Sequence, residues 1–215
     1  MAARRAGLRE QKKRATREAL REAALRLALQ RGPDNVRVDD IADAAGVSPR
    51  TYNNYFSSRE QAIVAAVTAE REARVAAAVA ARPAGVRLAD AVVDALVEQY
   101  TDPGERARDA LLMITTSPTL RDAFVDTATA IEQPLADAIA QRLGDPDRHT
   151  ARILAASVAA AVRVALQQWV RQAAPAPGGL VVPSGSLPDL LRTALAPLAP
   201  ALDAAEQRPR RRPRR

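Results

Sequence analysis

The sequence predicts an all-α fold, and three observations carry that prediction. Ala, Leu, Arg and Glu, all strong helix formers, dominate a 215-residue chain that is 47% hydrophobic. Strictly alternating β-branched runs are absent. Gly and Pro fall in clusters that leave helix-sized gaps: Gly32-Pro33, Pro83 to Gly85, Asp102-Pro103-Gly104, Pro118 and Gly144-Asp145-Pro146.

The first helix is expected from about Gln11 to Gln30. Leu20, Ala23, Ala24, Leu27 and Ala28 repeat at i, i+3, i+4, i+7 and i+8, which makes one apolar stripe. Two short helices follow, near Val38–Ala45 and Pro49–Phe56, and then a long one from about Arg59 to Ala81. Further helices are expected near Leu88–Tyr100, Glu105–Ser117, Thr119–Leu143 and Asp147–Ala173. Pro134 should kink or divide the third of these. Residues 174–186, APAPGGLVVPSGS, read as a loop. A last helix is expected at about Leu187–Ala204, its second half weakened by Pro197 and Pro200. The tail from Arg208 reads as disordered.

Charge is unevenly placed. The net charge is +7, with 30 Arg and 2 Lys, but residues 1–60 carry +5, residues 61–207 carry −4 and the final RPRRRPRR carries +6. A basic end on an acidic middle suits contact with a polyanion. Arg4, Arg5, Arg9, Lys12, Lys13 and Arg14 precede or open the first helix; they read as an arm for a DNA minor groove or as a solubilising tail. The C-terminal Arg run reads as weak phosphate affinity or as an inert tail. Zero Cys and a single His exclude thiolate metal sites and most nucleophile–histidine arrangements, so no catalytic, metal or cofactor site is expected. No uninterrupted run of 18 apolar residues points to a membrane span, and no apolar segment follows the basic start as a secretory signal requires. A cytoplasmic protein follows as the expectation. A helical enzyme is disfavoured because nothing gathers the carboxylates. A membrane-surface role is disfavoured because the basic helix has an Ala-rich apolar side rather than a Trp/Phe/Leu-rich one.

The most informative stretch is VDDIADAAGVSPRTYNNYF, residues 38–56. Ala42 is small where two steeply crossing helices touch, and Gly46 supplies the turn. Ile41, Ala45, Val47 and Tyr52 supply apolar contacts. Ser48 caps the second helix and Pro49 suits its first position. The outward face then holds Arg50, Thr51, Asn53, Asn54 and the hydroxyl of Tyr55. Arg pairs with guanine, and Asn with adenine, in the major groove. Arg50 is placed to read guanine, Asn54 to read adenine or a phosphate, and Asn53 to touch a base or a phosphate. Arg37, before the first of the two helices, cannot cap but can reach phosphate. Ser57 with Glu60, or Ser58 with Gln61, would form a capping box for the following helix.

Residues Arg14 to Arg74 resemble the DNA-binding domain of TetR-family transcriptional regulators. The likeness rests on Arg17, the paired Ala23 and Ala24, Gly32, the segment DIADAAGVS from Asp40 to Ser48, Tyr55-Phe56, and the Ser58-Arg59-Glu60 cap. It implies a three-helix helix-turn-helix domain over 14–74, a helical ligand-binding and dimerisation domain over 75–204, and a basic tail over 205–215. It also implies a ligand-responsive homodimeric repressor on a near-palindromic double-stranded operator, at the nucleoid, with Arg59 on a phosphate. The family's usual Thr is replaced by Arg37, and its frequent Tyr by Asn53.

In the body, the helix Asp147–Ala173 is apolar over a wide arc and, with Leu187–Leu198, is the expected dimer bundle. Tyr100, Leu112, Met113, Thr116, Phe124, Ile131, Arg163, Gln167 and Trp169 are the expected ligand-pocket residues, because they set the few aromatics and some polar groups among apolar positions. Arg163 stands out by interrupting an apolar run; buried, it would need an anionic partner. A weaker resemblance to mycobacterial-type regulators implies an amphipathic or acyl-type effector.

Overall fold

A computed structural model describes residues 2–68, 71–101, 105–144, 148–173 and 186–207. The 174–185 loop and the 208–215 tail lie outside them. Every regular element among the described residues is helical. Contacts divide the chain into two compact units, Met1–Ala69 with Glu105–Phe124, and Glu70–Gly104 with Val125–Arg215. That division differs from a single boundary at residue 74, because Glu105–Phe124 joins the N-terminal unit.

In the first unit, α1 (Ala2–Arg31) is one continuous helix that begins nine residues before the expected Gln11. Its stripe is buried as the spacing predicts: Leu20, Ala23, Ala24, Leu27 and Ala28 are at most 3% exposed. Gly32 ends it at φ +80°, a left-handed value that costs other residues more. Asn35 Nδ2 donates to the Arg31 carbonyl at 2.8 Å, satisfying one group of the open helix end. A 3-10 turn (Pro33–Asn35) leads to α2 (Val38–Ala44), α3 (Pro49–Tyr52) and α4 (Arg59–Thr68). α1 packs on α2 and α4, and α7 (Glu105–Thr116) packs on α1 and α4.

The second unit takes α5 (Arg71–Ala81), α6 (Leu88–Thr101), α9 (Glu132–Leu143), α10 (His149–Ala173), α11 (Leu187–Leu195) and α12 (Ala199–Glu206). Its helices pack in a ring: α10 on α9, α9 on α5, α5 on α6, α6 on α11, and α11 back on α10. Val75, Val79, Leu96, Leu135, Ile139, Val158, Val162, Leu191 and Leu195 are buried there. The expected helix Thr119–Leu143 is divided into α8 (Pro118–Asp126), a 3-10 segment (Thr127–Ile131) and α9. The break precedes Pro134, which therefore sits in the first turn of α9, where its missing N–H costs nothing. The expected helix Leu187–Ala204 is likewise divided, into α11, a 3-10 turn (Ala196–Leu198) and α12. Pro197 occupies a 3-10 turn and Pro200 the first turn of α12, which runs on through Glu206, with Leu202 and Ala205 buried.

The α6 N-terminus is capped from a distance. Leu88 N donates to Glu206 Oε2 at 2.8 Å and Ala89 N to Asp203 Oδ1 at 3.4 Å, placing two α12 carboxylates at the positive end of the helix. Arg142, with a side chain only 10% exposed, donates to Glu206 and to the carbonyls of Arg82, Pro83 and Val86. The loop after α5, the end of α9 and α12 are thus joined at one guanidinium. By length and mean hydropathy (1.5 over 149–172), α10 could also cross a membrane, which a search for unbroken apolar runs overlooks. Its Leu154, Ala155, Val158, Val162 and Leu166 are instead buried in this unit, as in a core helix.

Candidate nucleic-acid interface

The turn between α2 and α3 closes with the hydrogen bonds of a Schellman motif. Val47 N donates to the Ala42 carbonyl and Gly46 N to the Asp43 carbonyl, each at 3.0 Å, with Gly46 at φ +68°. Nothing lies within 4 Å of where a Gly46 Cβ would stand, so its backbone angle and not space selects glycine. Asp40 Oδ2 accepts from Arg37 N at 3.1 Å, which caps α2 from inside while the Arg37 side chain stays exposed. Ser48 Oγ accepts from Thr51 N at 3.2 Å and lies 2.9 Å from Thr51 Oγ1, the expected cap.

α3 is a single helical turn, shorter than the expected Pro49–Phe56, and residues 53–55 continue it as a tight turn. Tyr52 is fully buried and anchors this element: its hydroxyl donates to the Ser58 carbonyl at 2.7 Å, and its ring lies 5.8 Å from that of Phe56. Burial, with Glu60 adding to it, pushes the Tyr52 hydroxyl well above its ordinary pKa. Arg17 places its guanidinium 5.5 Å from the Phe56 ring centroid, a cation–π contact. Arg50, Asn53 and Asn54 are exposed, and Thr51 and Tyr55 half-buried. Ser48, Pro49 and Arg37 are exposed beside them. The local fold therefore points one side chain, Tyr52, inward and presents a polar row outward.

Arg59, the expected phosphate contact, is engaged within its own unit. Its Nη1 donates to the carbonyls of Asp34 (2.9 Å) and Val36 (3.0 Å), its Nε to Glu60 Oε1 (2.6 Å), and its Nη2 lies 3.7 Å from Asp34 Oδ1. Two carboxylates and two carbonyls already surround this guanidinium, which ties the start of α4 to the turn after α1. Burial alone would raise the Glu60 carboxyl. Hydrogen bonds from Arg59, from its own N–H and from Ser58 nevertheless hold it below its ordinary value. The cap follows the Ser58–Gln61 version: Ser58 Oγ accepts from Gln61 N at 3.1 Å, while Gln61 Oε1 accepts from Ser57 N at 2.7 Å.

The expected pocket residues are distributed over both units. Leu112, Met113, Thr116 and Phe124 belong to the first unit, where Leu112 and Thr116 are exposed and Phe124 is buried. Tyr100 and Ile131 are buried in the second unit, Trp169 is half-buried and Gln167 exposed. Arg163 is exposed and pairs with Asp126 at 2.7 Å, so it is not a buried cation awaiting a ligand. Among the described residues the buried arginine is Arg71, 4% exposed, with its guanidinium 4.4 Å from the Tyr100 ring centroid. No periodicity flagged it, because Arg71 lies at the start of a helix among other charged residues. An open cleft of about 670 Å³ lies among Glu132, Gln133, His149, Arg152 and Ile153. None of the nine expected residues lines it.

Two family models match the chain: "Bacterial regulatory proteins, tetR family" over residues 20–66 and "MftR C-terminal domain" over 83–203. The HTH-type transcriptional regulator TcmR of Streptomyces glaucescens is 30% identical over 178 residues, covering 78% of each chain. The chain belongs to the TetR family. The first match spans the Schellman turn and α3, and the second spans α6 through α11, while α5 lies between the two. The protein is accordingly a TetR-family, DNA-binding transcriptional regulator with a helix-turn-helix. Among solved structures, a TetR-family repressor from Thermus thermophilus, FadR with lauroyl-CoA, is 23% identical, with a TM-score of 0.49, covering 93% of this chain and 98% of its own. A TetR-family regulator from Rhodococcus sp. is 22% identical, with a TM-score of 0.44, covering 87% and 98% respectively.

Proposed function

We propose that this TetR-family regulator is a homodimeric, ligand-responsive repressor that works at the nucleoid and binds a near-palindromic operator through residues 49–56. The observation that carries the reading is the outward row of Arg50, Asn53 and Asn54 on an element fixed from behind by buried Tyr52. Arg50, two residues past the Ser48 cap, reads guanine; Asn54 reads adenine or a phosphate; Arg37 and Tyr55 hold the backbone. Arg59, tied to the turn after α1, also faces a phosphate in this reading. Two such elements in a dimer would face major grooves about 34–36 Å apart, or a multiple of that spacing.

Dimerisation is supported by α10, whose Ile153, Ala156, Ala160 and Val164 form an exposed apolar stripe at i, i+3, i+7 and i+11; Ile153 and Val164 are each 54% exposed. The effector is assigned to the second unit, as an amphipathic or acyl-type molecule. The support is an apolar body that buries a cationic group, Arg71, against Tyr100.

The deciding experiment titrates the chain and Arg50→Ala against a duplex recovered by selection from genomic fragments and against a scrambled duplex. The variant should lose about 1–3 kcal/mol on the selected site and relax preference at one base pair in each half-site. Equal losses on both duplexes would remove Arg50 from base reading.

A further inference from the structure

The N-terminal basic segment is a helix, and that changes what it can hold. Every described side chain from Gly7 through Ala15 is exposed, and the first buried residue among the described side chains of α1 is Leu20. This stretch of the 30-residue helix also precedes the family match, which starts at residue 20. Residues 2–17 carry seven Arg or Lys against one acid, Glu10. Arg9, Lys12 and Lys13 stand at i, i+3 and i+4, on one face. The helix leaves the domain beside the recognition element: Arg17 lies over Phe56, two residues past Asn54.

We propose that the leading half of α1 is a second DNA-contacting element, which grips backbone phosphates flanking each half-site as a rigid basic helix. This rests on the proposed operator binding. A minor groove of about 6 Å cannot admit a helix about 10 Å across, so the minor-groove arm suggested by the sequence is excluded while the segment stays helical. The partner is duplex DNA because the face is cationic, adjoins the recognition element and has no apolar stripe of its own. Its contribution is independent of sequence, since phosphates carry no base information.

The test compares full-length wild type with the triple variant Arg9→Gln/Lys12→Gln/Lys13→Gln, on the selected operator with short flanks and with flanks one helical turn longer. Wild type should bind the longer duplex more tightly and with a steeper salt slope. The triple variant should lose that difference and shift the slope by about 0.9 per lost phosphate contact, about five for a dimer, with its operator-to-scrambled ratio unchanged. A second variant, Gln11→Pro, keeps the charges but breaks the helix, and it too should lose the flank dependence; thermal melting checks that both variants fold. An unchanged slope in the triple variant overturns the proposal. Full flank affinity in Gln11→Pro, or its loss when a minor-groove drug is added to wild type, shows a flexible arm instead and also overturns it. Should wild type fail to separate operator from scrambled DNA, the proposed function fails, while the flank effect is still read on either duplex.

Discussion

The recognition segment and the C-terminal body are held by contacts of opposite reach. From Arg37 to Gln61 most polar contacts join residues no more than six apart: Asp40 to Arg37, Val47 to Ala42, Ser48 to Thr51, Tyr52 to Ser58 and Ser57 to Gln61. In the body, Arg142 and the α12 carboxylates join groups 56 to 118 residues apart. The first kind of contact forms as soon as its segment adopts the right backbone, so its residue pattern is diagnostic. The second exists only once the whole unit has assembled.

The sharpest way to break the comparison is to charge the body's core. Leu166 is fully buried, so Leu166→Asp should cost about 4 kcal/mol or more and unfold the body. Val164→Glu, on the exposed stripe two residues earlier, should leave thermal stability nearly unchanged and shift sedimentation from dimer to monomer. A dimer that survives Val164→Glu would move the interface elsewhere. Next, Arg142→Ala should cost about 2–3 kcal/mol by stranding the carbonyls of the 82–86 loop and Glu206. Hydrogen exchange should quicken at Leu88 and Ala89 while the α2–α3 turn stays protected.

Smaller effects are expected in the locally held segment. Gly46→Ala should cost about 1–2 kcal/mol through its left-handed backbone, and the loss should appear in DNA affinity before it appears in the body's unfolding. Tyr52→Phe should cost about 1 kcal/mol for the bond to Ser58. It carries a pH signature as well. The Tyr52 hydroxyl has a raised folded pKa, so the protonated form is favoured by folding. That stability is fully present below the ordinary tyrosine value, near 10, and is lost as pH rises beyond it. Wild-type melting temperature should therefore fall above about pH 10, and Tyr52→Phe should flatten that fall.

Much of the recognition segment was legible because its signals are short-range. The Ser48 cap, the Gly46 turn, the inward Tyr52 and the α1 stripe each follow from spacings of a few residues. The length of α3 was not legible, since Asn53 to Tyr55 close a turn whose end is set by Phe56 and Tyr52 packing inward. The prolines at 197 and 200 do divide the last expected helix, but the chain stays helical through Glu206 because each falls in the first turn of a new helical segment.

The sequence alone determined that the chain is all-α, where its helix-turn-helix lies and which residues that motif turns outward. Helix propensity, capping and turn chemistry act over a few neighbours, and they need no distant partner. The tertiary structure alone decided what four of the arginines contact. Arg59 is absorbed by Asp34, Val36 and Glu60, Arg163 is exposed against Asp126, Arg71 is buried over Tyr100, and Arg142 closes the body. A guanidinium is committed by whichever carbonyls, carboxylates and rings come within its reach, and only the packing of helices far apart in the chain brings those to it.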